Sequence, residues 1–86
     1  MSWFVYMLRC ADNTLYTGVT TDVERRLEEH NVGPKGAKYT KARRPVKLVY
    51  TETCKDRSAA QIREFKLRHL PKVAKVKLIK TLDKNQ

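Results

Sequence analysis

The sequence predicts an α+β domain, a three-stranded antiparallel sheet packed with helices in the order β-β-α-β-α-α. Three observations lead there. Residues 3–10 and 15–19 are rich in β-branched, aromatic and aliphatic side chains, and Ala11-Asp12-Asn13-Thr14 between them is a turn-forming run, which makes a hairpin. Apolar residues then recur at helical spacing in three later stretches. No strand–helix–strand alternation is present, which argues against a doubly wound fold. The 86 residues make a single domain over 1–86, its last few residues expected to be disordered.

In the first strand Trp3, Val5 and Met7 alternate with Phe4, Tyr6 and Leu8, so both faces carry bulky groups, as suits a central strand. Gly18 in the return strand marks a bulge or a close approach by another group. The register is open. With Cys10 opposite Leu15, Tyr6 and Tyr16 point to opposite sides of the sheet; with Ala11 opposite Leu15 they share one. Thr20, Thr21 or Asp22 can cap a helix over 22–30, with Val23 and Leu27 inward, Arg26 and His30 on its flank, and Asn31 as its stop.

Residues 32–45 hold Gly33, Pro34, Gly36, Pro45 and five Lys/Arg, and read as a basic surface loop. The third strand covers 46–50 or slightly beyond. Asp56 or Ser58 starts the second helix, which runs to about Leu70, with a Ser58–Gln61 capping box as one way to begin it. After Pro71 a third helix spans 72–82, with Val73, Val76, Ile79 and Leu82 as its buried stripe and Lys72, Lys75, Lys77, Lys80 and Lys84 solvated. Trp3, Phe4, Val5, Leu8, Leu15, Val19, Leu48, Val49, Ile62 and Phe65 are the expected core, filling one layer between sheet and helices.

The net charge is +10, of which +7 lies from Cys54 onward, where ten Lys/Arg face three Asp/Glu. A field of that sign on so small a chain concentrates anions, nucleic acid foremost. Cys10 and Cys54 have no CxxC partner and read as reduced, partly buried thiols of a cytoplasmic protein, a disulfide between them being the alternative. No apolar run is long enough to span a membrane, and no leader is apparent. Nucleotide-binding, zinc, calcium and serine-hydrolase motifs are missing.

What remains is tyrosines on strands, an arginine and a histidine on one helix, and a carboxylate on another. Arg26 and His30, four residues apart, share a helix face; a guanidinium can hold a phosphate while His or Tyr handles a proton. Glu64 is the single carboxylate between Asp56 and Asp83, on a helix carrying Arg57, Arg63, Lys66 and Arg68. It can bind one hard divalent cation or pair with Arg68.

Together these residues resemble the GIY-YIG nuclease family. Phe4-Val5-Tyr6 stands at the first motif and Tyr16-Thr17-Gly18 at the second; Arg26 of ERRLEEHN matches the helix arginine, His30 the following histidine or tyrosine, and Glu64 the metal-binding glutamate. Residues 36–50, GAKYTKARRPVKLVY, look typical of small single-domain bacterial members. Phe4 replaces the name-giving glycine, Thr17 replaces isoleucine, and Asn85 is a poor match to the family's C-terminal asparagine.

The resemblance implies an endonuclease that hydrolyses DNA, at nicks, flaps or branches, with RNA the other candidate substrate. Glu64 would hold one Mg²⁺ or Mn²⁺, Tyr6 or Tyr16 would be the general base, Arg26 would stabilise the transition state, and His30 would assist proton transfer. Both tyrosines would then face one pocket, which favours the Ala11–Leu15 register, and the metal or Arg26 would bring a tyrosine's pKa down. Gly18 would be structural. Lys35, Lys38, Lys41, Arg43 and Arg44, together with the lysine-rich third helix, would contact nucleic acid through charge. Two other readings are a non-catalytic nucleic-acid-binding module with this fold, and an adaptor active only with a protein partner.

Overall fold

The computed structural model describes residues 2–84. In chain order it contains β1 (Trp3–Arg9), β2 (Leu15–Thr20), α1 (Val23–Asn31), α2 (Lys38–Lys41), β3 (Lys47–Cys54), α3 (Arg57–Arg68) and α4 (Lys72–Lys84). The sheet order is β2-β1-β3, with β1 antiparallel to both neighbours. The expected α+β architecture and element order hold, with one addition: α2 is a single helical turn inside the basic loop.

β1 lies at the centre because its side chains need cover on both faces. Val5, Tyr6, Met7 and Leu8 are all buried. On one face Tyr6, Leu8 and Cys10 pack with Val46, Tyr16 and Leu27; on the other Val5 packs with Ala60 and Leu67, joined by Trp3, Val19, Tyr50 and Leu78. The single layer expected from the sequence is therefore two small ones. α1 covers the first and α3 with α4 the second.

The hairpin takes neither register considered above. Arg9 pairs with Leu15, Leu8 with Tyr16 and Tyr6 with Gly18. Relative to the Ala11–Leu15 pairing this is a shift of two residues, so the side chains keep their faces and both tyrosines share one. The turn explains the shift. Cys10 N–H donates to Thr14 O at 2.9 Å, Asn13 N–H donates to Cys10 O at 2.9 Å, and Asn13 sits at φ 67°, closing a three-residue loop. Asp12 Oδ1 accepts from the Thr14 hydroxyl at 2.6 Å and fixes the loop from within.

Asp22 caps α1 by accepting from Arg25 N–H at 3.1 Å. Asp56, rather than a Ser58–Gln61 box, caps α3 by accepting from Ala59 N–H at 2.8 Å. On α3 the buried positions are Ala60 and Leu67, while Ile62 and Phe65, expected in the core, are 57% and 56% exposed. A small residue at 60 lets the helix approach the sheet with Leu67 one face-repeat later, and Ile62 and Phe65 are left outside. Leu48 and Val73 are exposed as well, and Lys75 is half-buried rather than solvated. Both cysteines are free thiols. The expectations for the Lys84 side chain, for Asn85 and for disorder at the chain end fall outside the described residues. No helix among the described residues is long and apolar enough to cross a membrane.

Candidate active site

The site forms where the sheet ends. β2 is an edge strand, and Tyr6 crosses it from β1 directly over Gly18. A Cβ at Gly18 would lie 2.6 Å from Tyr6 Oη and 2.8 Å from Cζ, so only glycine lets the ring lie flat there and bring its hydroxyl to the sheet margin. From the opposite face α3 brings Gln61 and Glu64 to the same margin. The result is an open groove of about 300 Å³ around residues 17–19, lined by Tyr6, Tyr16, Arg26, Gln61 and Glu64.

Behind Tyr6 lies a buried chain of hydrogen bonds. Tyr6 Oη is 2.8 Å from His30 Nε2, His30 Nδ1 is 2.7 Å from Thr40 Oγ1, and the Thr40 hydroxyl donates to Ala37 O at 2.9 Å. A carbonyl only accepts, so the Thr40 proton goes to Ala37 and Thr40 Oγ1 receives Nδ1–H from the ring. This tautomer, assigned from the network, leaves Nε2 to accept the Tyr6 O–H. Ala37 N–H lies 3.4 Å from Nδ1, too far to reverse the assignment. Gly36 makes the loop's approach to α1 feasible, since a Cβ there would sit 2.7 Å from Glu29 O.

Burial sets the electrostatics. It pushes the His30 pKa down to about 4, aided by the charges of Arg26 and Arg44, so the ring is neutral at pH 7. It also pushes Tyr6 up to about 12, reinforced by Tyr16 and only partly opposed by Arg26. Tyr16 is likewise raised by burial, against the Arg26 charge. The expected arginine-lowered tyrosine is thus reversed, because desolvating a phenolate costs more than the guanidinium returns. Tyr6 is a hydrogen-bond donor to a neutral imidazole.

Of the adjacent arginines only Arg26 reaches the groove; its Nη1 donates to Glu29 Oε1 at 3.1 Å and to Lys35 O at 2.8 Å, while the Arg25 side chain is 58% exposed. The five basic residues expected to contact nucleic acid divide. Lys35, Lys38 and Lys41 are exposed. Arg43 pairs with Asp12 at 2.9 Å and lies 3.8 Å over the Tyr39 ring, which stacks on Tyr16 at 6.0 Å. Arg44 donates to His30 O at 2.7 Å, Gly33 O at 2.8 Å and Glu29 O at 3.3 Å. The His30 and Glu29 carbonyls end α1 and need donors, and Gly33 O lies just beyond, so Arg44 is a helix-terminating group, a role its place in a basic run conceals.

Glu64 is held by Arg68 at 3.4 Å, with 18% of its side chain exposed. No group of three or more His, Cys, Asp or Glu is gathered among the described residues, which excludes a many-ligand protein cage there. A hard cation that keeps most of its water needs less. The groove offers the Glu64 carboxylate and, on its lining, the buried Thr17 hydroxyl, which has no hydrogen-bond partner among the described residues. An all-oxygen donor set beside an unpartnered hydroxyl fits such an ion.

The structure thus brings Tyr6, Tyr16, Arg26, His30 and Glu64 together, as the sequence proposed, and adds two residues the sequence reading missed. Gln61 lines the groove, and Thr40, fully buried, anchors His30. A threonine among lysines carries no periodic sign of burial, so nothing local announced it.

The model of the GIY-YIG catalytic domain matches residues 2–72. The chain belongs to the GIY-YIG family. This family of nucleases supplies the frame for the groove described above. A UPF0213 protein of Desulfotalea psychrophila is 54% identical over 83 residues, covering 96% of this chain and 76% of that protein. One of Syntrophus aciditrophicus is 51% identical over 77 residues, covering 90% of this chain and 88% of that one. The solution NMR structure of a UPF0213 protein from Bacillus halodurans superposes with a TM-score of 0.59 at 42% identity, covering 94% of this chain and 85% of that one.

Proposed function

We propose that this GIY-YIG domain is a metal-dependent endonuclease that hydrolyses DNA phosphodiester bonds. The observation that carries this is the Tyr6–His30–Thr40 chain opening into the same groove as Glu64. Glu64 would hold a single Mg²⁺ or Mn²⁺, which supplies positive charge against the scissile phosphate. Tyr6 is the general base. As Tyr6 Oη takes a proton from the attacking water, its own proton passes to His30 Nε2. Thr40, accepting Nδ1–H, holds the ring in the one tautomer that permits this. Arg26 faces the phosphate and stabilises the charge that grows on it. Tyr16, packed edge-on against His30 at 5.1 Å, walls the groove and orients the water. The free thiols fit a cytoplasmic setting.

The test is cleavage of labelled single-stranded, duplex, flap and branched DNA, and of RNA, with Mg²⁺ or Mn²⁺, by wild type and Glu64→Gln. Cleavage by wild type that disappears in Glu64→Gln supports the proposal and names the substrate. Equal cleavage by both places the chemistry elsewhere. Binding without cleavage by either protein favours the second reading, a nucleic-acid-binding module. The Glu64–Arg68 pair and the raised tyrosine pKa values are what favour that second reading.

A further inference from the structure

We propose that the outer face of α3 beside the groove is a stacking shelf for an unpaired nucleobase, so that the preferred substrate carries single-stranded nucleotides next to the cleaved bond. This rests on the nuclease reading of the groove. The shelf is the Phe65–His69 pair. Phe65 is 56% exposed, and its ring lies against that of His69 one turn later, with centroids 4.2 Å apart and planes 34° from parallel. His69 Nδ1 is 2.8 Å from Phe65 O, so a hydrogen bond to the helix fixes its ring. Two aromatic rings are therefore already packed against each other, tilted and held, and a base adds to the open face of Phe65 with little further ordering.

Position ties the shelf to the chemistry. Gln61, one turn before Phe65, lines both the groove and the shallow depression formed with Ile62, Phe65 and Lys66. Arg68 pairs with Glu64 at 3.4 Å while its guanidinium lies 5.8 Å from the Phe65 ring centre. A strand leaving the groove thus meets an aromatic surface within one helical turn.

Charge selects the occupant. α3 carries Arg57, Arg63, Lys66 and Arg68 against Glu64 alone. A second copy of this chain would press like charges together around Ile62 and Phe65. A nucleotide brings a flat ring for Phe65 and phosphates for Lys66 and Arg68, the combination used for single strands. Paired bases in the interior of a duplex keep their faces inside the stack and offer none.

The experiment measures binding in EDTA, where nothing is cut, of two labelled DNA hairpins, each closed by a non-nucleotide linker so that neither has loop bases, with equal numbers of phosphates. One ends in a single-stranded tail and one is blunt. Wild type, Phe65→Ala and Phe65→Tyr are compared, with circular dichroism confirming that each is folded. Phe65→Ala is expected to weaken binding of the tailed hairpin by roughly 5- to 150-fold, and of the blunt one by no more than about twofold. Phe65→Tyr keeps the ring and should bind as wild type. A fluorescent base analogue in the tail should be quenched by wild type and not by Phe65→Ala. Equal losses on both hairpins, or no loss on the tailed one, overturn the shelf. A concentration-dependent dimer that Phe65→Ala dissolves overturns it in favour of a second copy. Tail-selective binding without cleavage under any metal would sink the nuclease reading and leave the shelf standing.

Discussion

His30 is gripped at both ring nitrogens, and that grip divides the labour at the site. Tyr6 meets the groove, His30 accepts its hydrogen bond, and Thr40, which does not line the groove, decides which ring nitrogen carries the proton. Thr40→Val keeps the shape and removes the acceptor for Nδ1–H. We expect turnover to fall on the order of 100-fold, with substrate affinity in EDTA unchanged, while Thr40→Ser restores it; single-turnover kinetics beside binding isotherms would read both. Loss of affinity in step with rate would make Thr40 merely structural. The grouping of the tyrosines, Arg26, His30 and Glu64 was legible only through the resemblance to a family, since each residue alone reads as readily as a packing or surface group. Thr40 was not, because it is brought to His30 by Gly36 pressing the loop onto α1, a contact between segments that no local pattern encodes.

Among the elements, the basic loop is the most instructive. Its composition reads as one electrostatic surface, yet Arg44 serves the carbonyls at the end of α1 while Lys41 faces solvent. Arg44→Ala should cost about 1–3 kcal/mol of stability by leaving those carbonyls without donors. Lys41→Ala should stay within about 0.5 kcal/mol of wild type and weaken DNA binding instead. Urea denaturation and DNA titration of the two variants would separate the roles, and equal destabilisation would refute the division. The hairpin shows the other side of legibility. Its facing was readable and its register was not, since strands repeat every two residues and the three-residue loop closed over residues 11–13, between Cys10 and Thr14, instead of over 12–14. On α3 the reading failed for a different reason: hydrophobicity marked Ile62 and Phe65, but close packing selected Ala60.

For the whole molecule, two titrations follow. The folded His30 pKa is about 4 against about 6.5 in an unfolded chain, so between those values the unfolded state binds the extra proton. Stability should therefore fall as pH drops from about 6.5 to about 4, by on the order of 2–3 kcal/mol from this group. His30→Gln should flatten that slope in denaturation curves collected across pH; an unchanged slope would mean the ring titrates normally. In the other titration, against salt, the +10 charge predicts steep weakening of DNA binding. Each of Lys35, Lys38 and Lys41 that meets a duplex phosphate should lower the logarithmic slope by about 0.9 when replaced by alanine. Slopes that match wild type would move the contact surface to α4. The fold class was legible at this scale because one hairpin and three helical periods leave few arrangements. The two-sided core was visible only as a strand with bulky residues on both faces.

The outer margin of β2 has no partner strand, and yet Thr17 and Gly18 are buried there. The groove's side chains double as bumpers: Arg26 from one face and Glu64 with Gln61 from the other lean over backbone that would otherwise be open to a neighbouring chain. Shortening them strips the guard from a sheet edge at the same moment that it alters the groove. A truncated, inactive variant is thus inclined to recruit a foreign strand and clump, and its silence would then report lost protein rather than lost chemistry. Only replacements of equal length, such as Glu64→Gln, keep the two effects apart.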